Sequence, residues 1–316
     1  MIVTLTPNPS IDRTVSVPAL EHGEVNRASD SRIDPGGKGI NVARALATNG
    51  TEALAVLPSG GPEGHLLQAL LRRSGTAYTA VPIAGTTRMN IAVIEPDGTT
   101  TKLNEPGPTL SADEFDALLA TVDNHLDPDL RWIVGCGSLT PGMPEGIYAD
   151  LVRRGHAHGI KVAIDSSGAP FTAAVPAGPD LIKPNHEELE ELVGRPLHTL
   201  AEVGEAARTL VDGGIETVIV SLGKHGALLV NAVAVAHAIA HVAHPVSTVG
   251  AGDSLVAGYL RAVCRGAGPR EALATGVAWG AAAVSLPGSR MPGPDDIAAI
   301  TVTSTDTPDL TLSLTD

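Results

Sequence analysis

Asp34-Pro35-Gly36-Gly37-Lys38-Gly39-Ile40-Asn41 sets three glycines in one turn, and apolar residues then recur at helical spacing up to about residue 49. A buried apolar run, Ala53–Leu57, comes next. Glycine removes the Cβ where a backbone bends sharply or approaches a ligand, so the stretch reads as turn, helix, strand. The same alternation runs outward in both directions. Ile2–Leu5, Trp132–Val134, Val162–Ile164, Leu181–Ile182 and Val218–Val220 read as buried strands. Amphipathic stretches fill 63–74, 111–123, 145–157, 199–212, 251–265 and 269–286. Apolar strands separated by helices predict an α/β fold, a mostly parallel sheet covered on both faces. With no shift in composition and no long Pro/Gly/Ser linker, residues 1–316 read as a single domain.

Two segments interrupt the alternation. Residues 11–34 and 86–104 read as short strands without helices, and Asp97-Gly98 is a tight-turn signal. Neither buries itself alone, so together they predict a small sheet over one end of the core, either a lid or a decoration of the main sheet's edge. The Thr-, Ser- and Asp-rich tail 301–316 reads as frayed or as a late edge strand.

At 316 residues the chain can bury a sizeable core. Aromatic residues are only 2%, so Ala, Val, Leu and Ile must build that core, and the composition argues against stacking platforms for nucleic-acid bases. Net charge is −14, from 21 basic and 35 acidic residues, which repels nucleic acid and anionic membranes. An anionic substrate would need cations placed locally, a divalent metal among them. Cys136 and Cys264 stand far apart with no CxxC, so no disulfide framework organises the fold. The first residues read as a strand rather than a cleavable leader, and no apolar run reaches membrane-spanning length. A cytoplasmic protein is expected.

Chemistry concentrates in glycine-bearing turns. Ser247-Thr248-Val249-Gly250-Ala251-Gly252-Asp253-Ser254 opens the helix at 251–265. Bare N–H groups at a helix start, aided by the helix dipole, cradle anions. The amides of Gly250, Ala251, Gly252 and Asp253 suit the charge on a moving phosphoryl group, while Asp253 suits the proton of an attacking hydroxyl. The plainer alternative is an Asp that only caps its helix. In the turn at 34–41 the backbone can press against a polyol, Asn41 offers donor and acceptor, and Lys38 adds positive charge. Lys183-Pro184-Asn185-His186-Glu187-Glu188 follows a buried strand. Asn185 and Glu188 face the same way there, toward a hydrated magnesium ion or toward each other as a cap. Ser221-Leu222-Gly223-Lys224-His225-Gly226 suits a nucleotide backbone or a plain strand connection equally. The dinucleotide fingerprint fails because Leu255 stands where its third glycine belongs, which argues against a nicotinamide oxidoreductase. Gly37-Lys38 lacks the flanking residues of a Walker A loop. His237, His241 and His244 lie in an Ala/Val run and read as packed or solvated imidazoles rather than metal ligands.

In combination these motifs are more specific. Gly36-Gly37-x-Gly39-Ile40-Asn41-Val42-Ala43 and Thr248-Val249-Gly250-Ala251-Gly252-Asp253-Ser254 resemble the two signatures of the ribokinase-like PfkB sugar kinases. Lys183-Pro184-Asn185 and Ser221-Leu222-Gly223 fall between them in the family's order, and the resemblance covers about residues 1–300. Thr6-x-Asn8-Pro9-x-x-Asp12, Asn26-Arg27, Thr87-Arg88-x-Asn90, Asn104-Glu105-Pro106-Gly107-Pro108 and Gly137-Ser138-Leu139 resemble the branch of 1-phosphofructokinases and tagatose-6-phosphate kinases. The resemblance implies a three-layer α/β/α fold with a small β-sheet lid, and ATP and Mg2+ as cofactors. It implies that Asp12, Gly36, Gly37 and Asn41 hold sugar hydroxyls, with Ser138 on the same rim. Arg88, helped by Arg27 and Lys38, would meet the phosphate already on the substrate. Lys183, Asn185, Ser221, Gly223, Gly226 and Thr248 would line the nucleotide side, with Glu188 on the metal shell. The chain departs from the family at Cys136 and Thr140, where Ser and Pro are usual, and at Asn231-Ala232, where a hairpin Asp-Gly is usual. Cys136 and Thr140 bear on loop packing and remove no obvious ligand, the change at Asn231-Ala232 bears on the adenine side, and no step needs a thiolate from Cys136.

The expected reaction is in-line transfer of the γ-phosphoryl group of ATP to a hydroxyl of a hexose phosphate. Fructose 1-phosphate, giving fructose 1,6-bisphosphate, is the first choice. Tagatose 6-phosphate and fructose 6-phosphate are the alternatives, since the two ends of a furanose are related by an approximate two-fold axis. A loose transition state asks little basicity of Asp253, so a carboxylate kept ionised by the helix N-terminus is expected to suffice. A non-catalytic sugar-phosphate sensor would have lost the base or the cradle, and both are intact. No nucleic acid or membrane partner is expected. A lid of exposed strands is expected to bury its edge in a homodimer.

Overall fold

The computed structural model describes residues 1–314; the last two positions of the segment read as a tail lie outside the described residues. Among the described residues ten strands form the large sheet. β1 (Ile2–Leu5), β4 (Ala53–Ser59), β5 (Ala77–Pro82), β8 (Trp132–Cys136), β9 (Lys161–Asp165), β10 (Leu181–Ile182) and β11 (Thr217–Ser221) pair in parallel. β12 (Ala227–Asn231), β13 (Val235–Ala240) and β14 (Val302–Thr305) continue it antiparallel, in the order β14-β13-β12-β11-β10-β9-β8-β1-β4-β5. The tail's first residues are thus an edge strand.

Side chains alternate across a strand, so each apolar run feeds two cores. Ile2 and Val134 enter the first, with α1 (Lys38–Thr48), α2 (Gly61–Arg73), α8 (Ala251–Cys264) and α9 (Pro269–Val284). Val3 and Ile133 enter the second, with α3 (Ala112–Asp123), α4 (Ile147–Ala157), α5 (Gly168–Ala174), α6 (His186–Val193) and α7 (Leu200–Asp212). The short α10 (Pro294–Ala298) leans on the first core through Ile297. α8 and α9 approach closely because Gly258 has no side chain; a Cβ there would sit 2.7 Å from the Trp279 ring. This contact fixes the helix that begins with the Gly250–Asp253 turn.

The second sheet comes from the two segments without helices. β2 (Ser10–Ser16), β3 (Asp30–Gly36), β6 (Arg88–Ile94) and β7 (Thr100–Asn104) pair in the order β3-β2-β6-β7. Its register sets Asp12 opposite Asp34 on one side and Asn90 on the other. β3 runs straight into the glycine turn that opens α1. The small sheet therefore meets the large one at the C-terminal ends of the parallel strands, where α/β folds place their ligands.

Candidate active site

Strand ends and helix starts converge at that rim. Gly250, at φ 77°, occupies a left-handed conformation open to glycine and turns the chain into α8. Ala251 N–H bonds back to Thr248 O at 3.4 Å and Ser254 N–H to Gly250 O at 2.8 Å, which leaves the N–H groups of Gly252 and Asp253 without a backbone partner among the described residues. Asp253 lies in that turn with 6% of its surface exposed. Asn41, from the first turn of α1, donates Nδ2 to Asp253 Oδ2 at 2.9 Å. Two turns 212 residues apart in sequence thus meet at one hydrogen bond.

The charge around this pair is dense. Asp165, at the end of β9 and 1% exposed, accepts from Lys38 Nζ at 2.8 Å and has Lys183 Nζ at 3.4 Å. Burial alone would raise the Asp165 pKa, but Lys183 and Lys38 outweigh it and hold the carboxyl below its usual range. For Asp253 burial prevails: with Asp165 adding to it, the pKa is pushed up to about 6 against Lys38, Asn41 and Lys183. Against the expectation of a carboxylate kept ionised by the helix N-terminus, burial and Asp165 disfavour the charge on Asp253. Lys38 also departs from expectation. It does not join Arg88: the first turn of α1 projects it toward β9 and to within 3.8 Å of Glu188 Oε1. Burial opposes its charge, and Asp165, Glu188 and Asp253 restore it, holding its pKa above the ordinary value.

Asn185 and Glu188 do form the reciprocal cap that was the alternative reading. Asn185 Oδ1 accepts from Glu188 N–H at 2.7 Å, and Glu188 Oε2 accepts from Asn185 N–H at 2.8 Å. Oε1 of Glu188 is left over, on the Lys38 side. Beyond it opens a cavity of roughly 530 Å3 lined by Asn185, Ser221, Gly223, Gly226, Thr248 and Gly252, with Leu255, Val277, Gly280 and Val284 as an apolar wall. Gly226 cannot carry a side chain there, since a Cβ would lie 2.0 Å from Ala238 O. Lys183 flanks the cavity; a Cβ on Gly252 would be 3.4 Å from its Nζ. His241 lines the cavity wall, and His237 shares a hydrogen bond with His225 O at 2.8 Å. Cys136 is buried, and burial holds its thiol well above the ordinary range.

The small sheet contributes Asp12. Its Oδ1 accepts from Ser10 Oγ at 2.7 Å and from Asn90 Nδ2 at 3.1 Å. Burial raises the Asp12 pKa, against those two bonds and the charge of Arg88. Arg88 donates Nη1 to Glu105 O at 2.9 Å and Nη2 to Asn8 O at 3.1 Å. Asn8 in turn ties its own loop to two others, lying within hydrogen-bond distance of Pro106 O at 3.0 Å in one and of Leu139 O at 3.1 Å and Ser138 Oγ at 3.4 Å in the other. Gly36 lies directly under Asp12, and a Cβ there would stand 2.3 Å from its carboxyl. Gly37, at φ 116°, makes the turn into α1. Arg27 is not drawn into this group: it lies exposed on the connection between β2 and β3, without a hydrogen bond or ion pair among the described residues.

Asp165, Ser10 and Arg44 had no role in the sequence reading, and Asn8 and Asn90 were quoted there without one. Asp165 carried one usable signal, an acidic residue ending a buried strand on the rim where the ligand turns lie.

Residues 6–296 match the pfkB family of carbohydrate kinases. The chain is 36% identical over 305 residues to a 1-phosphofructokinase of Rhodobacter capsulatus, covering 96% of each. It is 35% identical over 302 residues to the ATP-dependent 6-phosphofructokinase isozyme 2 of Escherichia coli, covering 95% of this chain and 97% of that one. The crystal structure of phosphofructokinase-2 from Escherichia coli in complex with substrates and products superposes with a TM-score of 0.90, over 94% of this chain and 97% of that chain. The architecture is ribokinase-like, with a large, mostly parallel sheet, a smaller sheet, and helices on both sides.

Proposed function

The chain belongs to the pfkB family of carbohydrate kinases, and on that premise we propose that it transfers the γ-phosphoryl group of ATP to a hydroxyl of a hexose phosphate, fructose 1-phosphate first, yielding fructose 1,6-bisphosphate. The observation that supports this most is the Asn41–Asp253 hydrogen bond, which joins a buried carboxylate in the glycine turn of α8 to the glycine turn that opens α1, where Gly36 lies against Asp12. In this reading Asp253 orients the acceptor hydroxyl and takes its proton, and the amides of Gly250, Ala251, Gly252 and Asp253 meet the phosphoryl oxygens in flight. Lys38 and Lys183, gathered around Asp165, add positive charge beside the cradle. Asp12, Gly36, Gly37 and Asn41 hold sugar hydroxyls, while Arg88, with Ser138 near, takes the existing phosphate. Ser221, Gly223, Gly226 and Thr248 face the nucleotide in the adjoining cavity.

The donor set fits a magnesium ion held mainly through water. Magnesium keeps several of its waters and takes phosphate oxygens, so its protein partners would be Glu188 Oε1, which lies 3.8 Å from Lys38 Nζ, and the Asn185 side-chain oxygen, which also accepts from Glu188 N–H. When bound, the ion neutralises charge on the nucleotide phosphates. A homodimer through the small sheet belongs to the same reading. Val25 and Leu103, both in segments of that sheet, are 80% and 59% exposed, and light scattering should return twice the chain mass. A cytoplasmic location belongs to it as well, supported by the family.

The substrate is tested by steady-state kcat/KM for fructose 1-phosphate, fructose 6-phosphate and tagatose 6-phosphate, with ADP release as readout. Fructose 1-phosphate should lead. Fructose 6-phosphate in first place would favour the second reading, for which the similarity to the 6-phosphofructokinase isozyme speaks. A further expectation concerns Gly36→Ala. The added methyl must displace an Asp12 carboxyl pinned by Ser10 and Asn90, so KM for the sugar phosphate should rise about tenfold with KM for ATP unchanged. Equal change in both would place Gly36 elsewhere in the mechanism.

A further inference from the structure

Arg44 stands one turn after Asn41 on α1, so the two share a helix face. Its surface is 8% exposed, and one terminal nitrogen, Nη1, lies within hydrogen-bond distance of Asn41 Oδ1 at 3.2 Å, Pro35 O at 3.2 Å and Ser289 O at 3.1 Å. The other end of the Asn41 amide donates to Asp253 Oδ2. An amide can turn end for end, but a guanidinium has donors only. With Arg44 against its carbonyl oxygen, Asn41 has no stable reversed orientation, in which oxygen would face the Asp253 carboxylate.

We propose that Arg44 is a positioning residue for phosphoryl transfer: it locks the Asn41 amide so that Asp253 keeps one carboxylate oxygen hydrogen-bonded and offers the other to the acceptor hydroxyl. This rests on the reading of Asp253 as the base. The other charges near Asp253 are Asp165 from β9, Lys38 from α1, and Lys183, which follows β10; near Arg44 they are Arg32 and Asp34 from β3 and Asp12 from β2. The described hydrogen bonds of the Asn41 side chain go to Arg44 and Asp253 alone. A purely structural Arg44 would tie β3 to the loop bearing Ser289 and leave the titration of Asp253 untouched.

Carboxyl 13C NMR of the full chain separates the two roles, with the Asp253 resonance assigned by its loss in Asp253→Asn. The Asp253 midpoint, near 6 in the native chain, should rise by about one pH unit in Arg44→Met as its hydrogen bond loses definition. Asn41→Ala should give a similar rise, and the double variant should add nothing to it. kcat should fall about tenfold in Arg44→Met with KM for ATP unchanged. An unmoved midpoint in folded Arg44→Met, or additive changes in the double variant, overturns the proposal. Where Arg44→Met does not fold, Arg44→Lys carries the test, because a point donor cannot hold Asn41 while serving both carbonyls. Part of the rise should then appear, and a native midpoint with native kcat overturns the proposal. Full turnover in Asp253→Asn would instead remove the base itself, whatever the midpoints do.

Discussion

Asp253→Asn should lower kcat by roughly 10²- to 10⁴-fold, the range that a positioned general base contributes, while ATP binds with nearly its native affinity. The same substitution should stabilise the fold. Burial and Asp165 raise the Asp253 pKa from 3.8 to about 6, so the folded chain disfavours the ionised form. The sign follows from the raised value: the group favours folding below pH 4, and that contribution is lost as pH rises through 6. At pH 7 and above, the ionised carboxylate costs the fold on the order of 3 kcal/mol. An Asn has no charge to strand, so the variant should melt higher than the native protein at pH 8 and nearly level with it at pH 4. Loss of activity with a gain in stability is the signature of a group kept for chemistry rather than for folding. Turnover within tenfold of native would show that the proton goes elsewhere.

Asp165→Ala should have the largest effect on stability. The carboxylate is 1% exposed and meets Lys183, whose side chain is 5% exposed, and Lys38. Removing it strands a buried ammonium, which costs about 3–5 kcal/mol. Here the sign is opposite to that for Asp253. The Asp165 pKa lies below its usual value, so its contribution is present above about pH 4 and disappears as pH falls through the folded value. The gap between native and variant stabilities, measured by urea unfolding, should therefore close in acid. Removing the Asp165 charge should also lower the Asp253 pKa, because that charge helps to raise it. An unchanged urea midpoint at pH 7 would mean that the lysines find other partners.

Much of this was legible in the sequence where local chemistry and tertiary structure agree. β1, β10 and the start of α1 fall where the apolar runs and the glycine turn put them, because strands buried on both faces have little choice. β5 left no such trace: it is a half-buried edge strand, Ala-Tyr-Thr-Ala-Val-Pro, without a continuous apolar run. α5 was hidden by its length, seven residues with a proline in the first turn. The turns at 34–41 and 247–254 were visible because glycine is needed there by geometry. Lys38 shows where that reading stops. Its charge suggested a substrate phosphate, but its direction is set by Asp165, a residue 127 positions away that no local pattern ties to it. The pKa of Asp253 was out of reach for the same reason, since it depends on burial and on charges brought from three other elements. Asn8 and Asn90 stood in quoted motifs, yet only the fold reveals that one ties three loops together and the other steadies Asp12.

In the proposed complex the acceptor hydroxyl sits at Asp253 while the existing phosphate sits at Arg88. A crystal structure with a non-hydrolysable ATP analogue, magnesium and fructose 1-phosphate tests it most directly. The expected result is a sugar hydroxyl about 2.6–3.2 Å from an Asp253 oxygen, with the sugar's phosphate against the Arg88 guanidinium. A sugar bound with its phosphate at Asp253, or with no hydroxyl within reach of that carboxylate, would contradict it.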